Sequence, residues 1–433
     1  NDVGTATLKY LIPTGTNTAI TNLGYSANVY NAGVSTTGAR AWNQPASASN
    51  IITRNTQWSL DTFGEDLIAC RRGGRIYKWD TTIESTPDRA ALISASPSVN
   101  NSILVSPNDR HLLALGSTEF GTGDFNPMLV RWSDQNNYDN FTPSVSSTSG
   151  ENILTDGTEI IGAVRSRNAV NIWTDNAIWL MTFTGPPFVF SFQQGGTNCG
   201  LIGPHAAVDF DGVAIWMGQD NFYAFDGQVR NLDCTVRRFI FDDFNRNAED
   251  KVFAGINSEF KEIIWLYCSA SSDEPDKYVL YNPLEKTWSF GTTIYTTFED
   301  KDVFGNTLTT DVSSFLIDNE PAGIFTANGE AQNSFIESAA FDIEDGNEMM
   351  FMDRLIPDFT LNDGNLQFSI VAQNFPVNDA QTKGPFTITP ATKKVDLRAR
   401  GRQAIIRVSC DGTGGTEWRY GSLRLSLQED GLR

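Results

Sequence analysis

"GEDLIACRRGGRIYKWD", residues 64–80, decides how the rest of the chain is read. Two short apolar runs, Leu67–Ile68–Ala69–Cys70 and Ile76–Tyr77–Lys78–Trp79, flank Arg71–Arg72–Gly73–Gly74–Arg75, and the piece closes on Asp80. Both runs are strand-like in composition, and Gly-Gly accepts the positive φ that a hairpin turn demands. The stretch therefore predicts two antiparallel strands.

The pattern recurs. "HLLALGS" (111–117) with "PMLVRWSD" (127–134), "VNIWTDNAIWLMTF" (170–183), "VAIWMGQDNFYAFDG" (213–227), "EIIWLYCSASSDEPDKYVLYNP" (262–283) and, more weakly, "SSFLIDNEPAGIFTANG" (313–329) are hairpins of the same kind. Asp80, Asp134, Asp226, Asn282 and Asn328 close the second strands, and the spacing is roughly 50 residues, the length of one four-stranded propeller blade. One small antiparallel sheet cannot bury both faces, whereas a radial stack can. The fold class expected is all-β: a β-propeller of about six blades over residues 46–332, after an N-terminal arm or start of the ring at 1–45. Period-two alternation in 366–375, 395–410 and 418–428 then predicts a C-terminal β-sandwich-like domain over 333–433, with "DGTGGTE" (411–417) as a turn. The best short helix is "VRRFIFDDFNRN" (236–247), with Phe239, Phe241 and Phe244 near one side.

Composition narrows the function. The 433 residues hold five scattered cysteines with no CxxC, which speaks for buried free thiols made in a reducing compartment. His111 and His205 are the only histidines, which argues against a His-based metal site and most hydrolase triads. No apolar run approaches the roughly 20 residues of a membrane helix, and the first residues lack a secretory leader, so a soluble chain, trimmed or processed at its start, is expected. The net charge is −20 and unevenly spread. Residues 391–433 carry nine Lys/Arg against five Asp/Glu, a net +4, which leaves −24 elsewhere. A chain so acidic does not read as a tight binder of nucleic-acid backbone.

Several motifs invite chemistry and fall short. "SLDTFGED" (59–66) approaches the Asp-box of sialidases with one residue too many between Asp61 and Gly64, and reads as a turn whose acids face water. Asp243, Asn245 and Asn247 start like a calcium loop, but Ala248 and Ala254 stand where Gly and Glu belong. Trp173, Trp179, Trp216 and Trp265 lie in apolar strand runs and read as core. In "RARGR", alternation sends Arg398, Arg400 and Arg402 to one strand face, as candidate contacts for a subunit or acidic partner. No catalytic, cofactor-binding or metal set emerges, so a non-enzyme without cofactors is expected. A carbohydrate-binding propeller or adhesin is the alternative, and a propeller glycosidase a further one.

"WSLDTFGEDLIACRRGGRIYKWD" (58–80) and, in its C-terminal part, the stretch from "DRLIPDF" to "QEDGLR" (353–433) resemble the tail hub or nozzle proteins of short-tailed bacteriophages, similar to tail tubular protein B and the packaged-DNA stabilisation proteins. The anchors are Trp58, Asp61, Gly64, Glu65, Asp66, Gly74, Trp79 and Asp80, then Arg398, Arg400, Gly401, Arg402, Trp418, Gly421 and Arg424. The resemblance implies a structural virion protein of the tail, assembled in the host cytoplasm. It implies a homohexameric ring below the portal and its adaptor, the head-to-tail connector, with a tail fibre or tailspike docked on it. Genomic DNA would pass through the channel without specific binding. An acidic lumen, which repels a polyanion and lets it slide, is the expectation that joins this picture to the charge of the chain.

Overall fold

The computed structural model describes residues 57–80, 90–301, 305–313, 315–319, 326–327, 330–331, 334–361, 364–375, 380–410 and 418–431. The expected arm at 1–45, Asn328 and the expected turn at 411–417 lie outside the described residues. The chain divides into two compact units, Asn1–Leu316 and Ile317–Arg433, a division that falls ahead of residue 333.

The first unit is a succession of small antiparallel sheets, each with its strands in chain order. The opening sheet holds Trp58–Phe63, Asp66–Arg71, Ile76–Trp79 and Ala91–Leu92. The second holds Asn100–Val105, Leu112–Thr118, Phe125–Trp132 and Gly150–Ile153. The third holds Ile160–Arg165, Val170–Thr174, Ala177–Gly185 and Val189–Thr197. The fourth holds Ala207–Phe210, Val213–Met217, Phe222–Phe225 and Val229–Asn231. The fifth holds Phe253–Asn257, Glu262–Tyr267, Lys277–Asn282 and Thr287–Thr292. A sixth, of three strands, comprises Tyr295–Glu299, Leu308–Asp311 and Leu316–Asp318.

The first strand of each sheet packs beside the first strand of the next, so these strands line a common axis and the later ones radiate outward. The Gln57 side-chain amide, just before the first sheet, donates to the carbonyl of Asp250, just before the fifth, so the array curves round on itself. This is the propeller arrangement that the repeated hairpins predict.

Packing between sheets explains why they stack. Ile68, Cys70 and Ile76 of the first sheet pack with Ile103, Leu112 and Phe141 of the second. Val130 and Trp132 of the second meet Ile172, Trp179 and Phe190 of the third. Trp173, Trp216 and Trp265 belong to one cluster spanning the third, fourth and fifth sheets, and all three are fully buried. Trp179 is buried too, so the four tryptophans are core. Cys70, Cys199, Cys268 and Cys410 are buried free thiols, and Cys234 is half-buried.

The opening hairpin forms with Cys70 opposite Ile76. Its turn needs glycine, because Gly73 sits at φ +73°, in the left-handed region. The turn is also sewn to the second sheet: Gly73 N–H donates to the Asn100 carbonyl and Asn100 N–H to the Gly74 carbonyl, at 2.7 and 3.0 Å.

The sixth hairpin, expected over 313–329, is not built that way. Leu316–Asp318 joins the sixth sheet, whereas Thr326–Ala327 pairs with Glu330–Ala331. The longer β-branched and aromatic run lies earlier, at Tyr295–Glu299, and starts the sheet there. The expected helix shortens to Arg237–Asp242, and Ile240 rather than Phe239 is its buried residue. Phe239 lies half in solvent, its ring tilted against Phe290 at 4.4 Å.

The second unit is a sandwich. Phe335–Glu337, Gln403–Cys410, Leu366–Gln373 and Gln381–Ile388 form one sheet, to which Phe341–Asp342 adds a short strand. Val395–Gly401, Met350–Ile356 and Arg424–Glu429 form the other. The alternation is strict: Leu366, Phe368, Ile370 and Ala372 from one sheet and Val395, Leu397 and Ala399 from the other point into one core, while the residues between them are half-buried or exposed.

Candidate functional site

Arg398 and Arg400 stand exposed on Val395–Gly401, opposite the buried Val395, Leu397 and Ala399, as period two requires. Arg402 does not share that face. The chain turns a corner at Gly401 to pass from one sheet to the other, so alternation ends there. A Cβ on Gly401 would lie 3.0 Å from the backbone N and O of Gln373, which makes this a glycine corner. The Arg402 guanidinium donates to the carbonyls of Gly346 and Asn347 and lies over the Phe375 ring at 5.7 Å. Arg402 therefore pins the corner.

The neighbouring strands add what sequence reading missed. Arg354 pairs across from Asp396, and Arg424 across from Ile356, so both share the outer face with Arg398 and Arg400. Arg400 Nε bonds Asp430 at 2.5 Å, Lys394 pairs with Asp396 at 3.0 Å, and Arg354 lies 3.9 Å from Asp353. The Arg398 and Arg424 side chains have no hydrogen-bond or ion-pair partner among the described residues. The signal was available in sequence as three separate Arg-bearing strands, but only register places them side by side.

A second constellation lies at the axis of the first unit. The innermost strands of the first three sheets and the loop before the fourth, with Arg72 and Leu115, line an open cavity of about 170 Å³. Asp61, Arg72, Arg165, His205 and Trp58 are among its lining. Asp61 corrects its expected role as an acid facing water: it is buried, because it lies on the strand face turned to the second sheet. Val105 N–H donates to its Oδ2 at 2.6 Å, Thr62 N–H to its Oδ1 at 2.8 Å, and Arg165 reaches Oδ1 at 3.1 Å. One carboxylate thus ties three sheets together. Arg72 makes a parallel link from the first sheet to the third, donating to the Ile161 carbonyl at 3.3 Å and pairing with Glu159 at 3.5 Å.

Burial and then the Arg72 charge lower the His205 pKa from 6.5, so the imidazole is neutral at pH 7. Its ring lies tilted against Phe253, centre to centre 5.4 Å, and makes no hydrogen bond among the described residues. Ser102 Oγ, also lining the cavity, is buried without a hydrogen-bond partner among the described residues.

His111 forms an acid–imidazole–hydroxyl array with Asp109 on Nδ1 and Thr148 on Nε2, at 3.1 Å from the latter. The Thr148 hydroxyl donates to Asp134 at 2.7 Å and accepts from Gln135 N–H at 2.8 Å, and His111 is fully buried. The array holds a loop and leaves no free nucleophile. Asn245, of the calcium-like stretch, accepts from Asn247 N–H to start a short 3-10 helix, and Asp243 pairs with Lys277. Among the described residues, no group of His, Cys, Asp or Glu is placed to hold a metal ion.

No family model and no curated protein matches the chain. Among solved structures, apo AztD from Citrobacter koseri is similar over 61% of this chain and 68% of its own, at 9% identity and a TM-score of 0.34. A candidate gluconolactonase is similar over 53% and 71%, at 14% identity and a TM-score of 0.28. At such identities a likeness speaks to fold alone, and the propeller assignment rests on the strand pairing and radial packing described above.

Proposed function

We propose that this chain is a structural protein of a short-tailed phage tail, a hub or nozzle in which six copies form a ring below the portal and adaptor. The ring conducts genomic DNA and offers a platform for tail fibres or a tailspike. The observation that carries the reading is where the resembling residues lie. Trp58, Asp61, Gly74 and Trp79 build the first sheet and its ties to the second and third. Arg398, Arg400, Gly401 and Arg424 build one sheet of the sandwich. Both sets sit in frameworks rather than around a reaction centre.

Charge supports the same reading. A face bearing Arg354, Arg398, Arg400 and Arg424, in a chain with 52 acids and 32 bases, suits an acidic neighbour in a ring, where such pairs set orientation. The axis of the sheets is not the conduit. Its cavity of about 170 Å³ falls below even the ~300–1,000 Å³ of small-molecule pockets. Passage belongs to the bore between copies, and an acidic bore keeps DNA from adhering.

The half-exposed Trp58 at the cavity favours a carbohydrate-binding propeller as the second reading. A glycosidase needs two carboxylates across a pocket, and Asp61 is the one acid lining this cavity among the described residues.

Negative-stain microscopy of the full chain tests the proposal. Six-fold particles with a central hole are expected, and replacing Arg398 and Arg424 by Glu should break them into single copies. Single copies at every concentration of the native chain would contradict it.

A further inference from the structure

We propose that the hairpin of the third sheet, Ala177–Gly185 with Val189–Thr197, is a lipid-contact element that seats its tip, Phe188, in an anionic bilayer surface, with Arg110 and Arg167 on the headgroup phosphates. The inference concerns one element of a single copy and does not rest on ring assembly.

The hairpin outruns its sheet. Val170, which opens the neighbouring strand, pairs with Met181, yet the two hairpin strands stay paired through Thr182–Ser191 and Phe183–Phe190 to Gly185–Val189. The residues past Met181 carry the tip roughly 13 Å beyond that pair, at ~3.3 Å per residue. There Thr184, Pro186, Pro187 and Phe188 are exposed, Phe188 to 79%. The next residue, Val189, has φ +58°, a left-handed conformation that a β-branched side chain adopts only under constraint. Val189 and Phe190 are buried, and Phe190 packs edge-on against Trp132 and His111 at 5.2 and 5.0 Å. The core thus grips the base of the hairpin and holds Phe188 outward.

Charge points to the surface it meets. From Asn176 to Val208 the chain has no Asp, Glu, Lys or Arg, although these make up 19% of its residues, so no ionised group of the hairpin opposes insertion. The adjoining turns supply cations. Asn108 and Asp109 of one turn and Asn168 of another line a cleft with Phe183 and Phe190. Arg110 and Arg167, next in the chain, are exposed, and neither side chain has an ion-pair partner among the described residues. The nearby acids are engaged: Asp109 is buried against His111 and Ser106, Asp134 is bonded by Thr148, and Asp139 pairs with Lys78. The acidic body stands back by more than the ~10 Å over which charge acts in about 0.1 M salt.

Area selects a bilayer over a protein. A lasting protein interface takes about 800 Å² and some 20–30 residues from each side, and this tip offers a few side chains. A bilayer interface accepts such a wedge, with an aromatic ring at headgroup level and basic neighbours on anionic lipid. Nucleic acid would engage the two arginines and leave Phe188 in water.

The test is flotation of the full chain with vesicles of phosphatidylcholine alone, or of phosphatidylcholine and phosphatidylglycerol in equal parts, in about 0.1 M and about 1 M salt. Binding to the mixed vesicles is expected in the lower salt, about tenfold or more above that to phosphatidylcholine alone, and weaker in the higher salt. Phe188→Ser should weaken it about tenfold, and Arg110→Gln with Arg167→Gln about tenfold or more. Leu284→Ser, at a residue 70% exposed between the last two strands of the fifth sheet, should leave it unchanged. Phe188→Ser should melt with the native chain, since its side chain lies in solvent, which separates lost binding from lost fold. Absence of binding to the mixed vesicles would overturn the proposal. So would binding unchanged by Phe188→Ser, or weakened as much by Leu284→Ser. Assembly lost on Phe188→Ser in a chain that ignores vesicles would also overturn it and assign the tip to a second copy.

Discussion

Asp61 shows how much one side chain can hold. Its two oxygens accept the Thr62 and Val105 N–H groups and the Arg165 guanidinium, so the first three sheets share one carboxylate. Asp61→Ala leaves the buried Val105 N–H without its acceptor, and a loss of about 1–3 kcal/mol in urea-unfolding stability is expected. His205, close by, makes stability depend on pH. Burial and Arg72 hold its folded pKa below the 6.5 of the free side chain. Below pH 6.5 the unfolded chain takes up a proton that the folded chain refuses, so folding stability should fall as the solution is acidified. His205→Gln should flatten that loss below pH 6.5, read by chemical denaturation at several pH values. Asp134 and Asp175 act lower on the scale. Burial alone would raise both, yet hydrogen bonds from Thr148 to Asp134 and from Thr158 to Asp175 outweigh it and bring them below 3.8. Their contribution is present above pH 3.8 and is lost as pH falls through the folded values.

At the scale of the element, the aromatic strands make the sheets adhere. Phe222 is fully buried, with ring centres 5.0 Å from Trp265, 4.8 Å from Trp288 and 5.6 Å from Phe241. Phe222→Ala empties the joint between the fourth and fifth sheets and should cost about 3–5 kcal/mol in the same denaturation assay. Strands of this kind are legible in sequence because hairpin turns and apolar runs are local. Alternation likewise placed Leu397 and Ala399 inward and Arg398 outward without reference to any other strand. What depended on a second element was not legible. Asp61 resembled a solvent-facing acid until the second sheet supplied Val105 N–H. Arg402 looked like a third member of the Arg row until the corner at Gly401 turned it toward Gly346 and Asn347. The sixth sheet was misplaced because its longer run, Tyr295–Glu299, carries no hairpin signature of its own. The axial cavity had no local signal either, since its lining comes from six separate segments.

The whole molecule has two units, each with its own hydrophobic core. Separate cores allow separate unfolding. Differential scanning calorimetry should resolve two transitions, with Phe222→Ala lowering one and leaving the other in place; a single transition shifted as a whole would show that the units melt together. The excess acid also acts at this scale. An acidic body with an exposed Arg face can join to copies of itself and repel a polyanion. Whether it does so turns on one reconstruction of the assembled particle by electron cryomicroscopy. Six copies are expected around a bore where Asp and Glu outnumber Lys and Arg, with Arg398 and Arg424 turned to an adjoining copy. A bore lined by Lys and Arg, or particles containing a single copy, would contradict it.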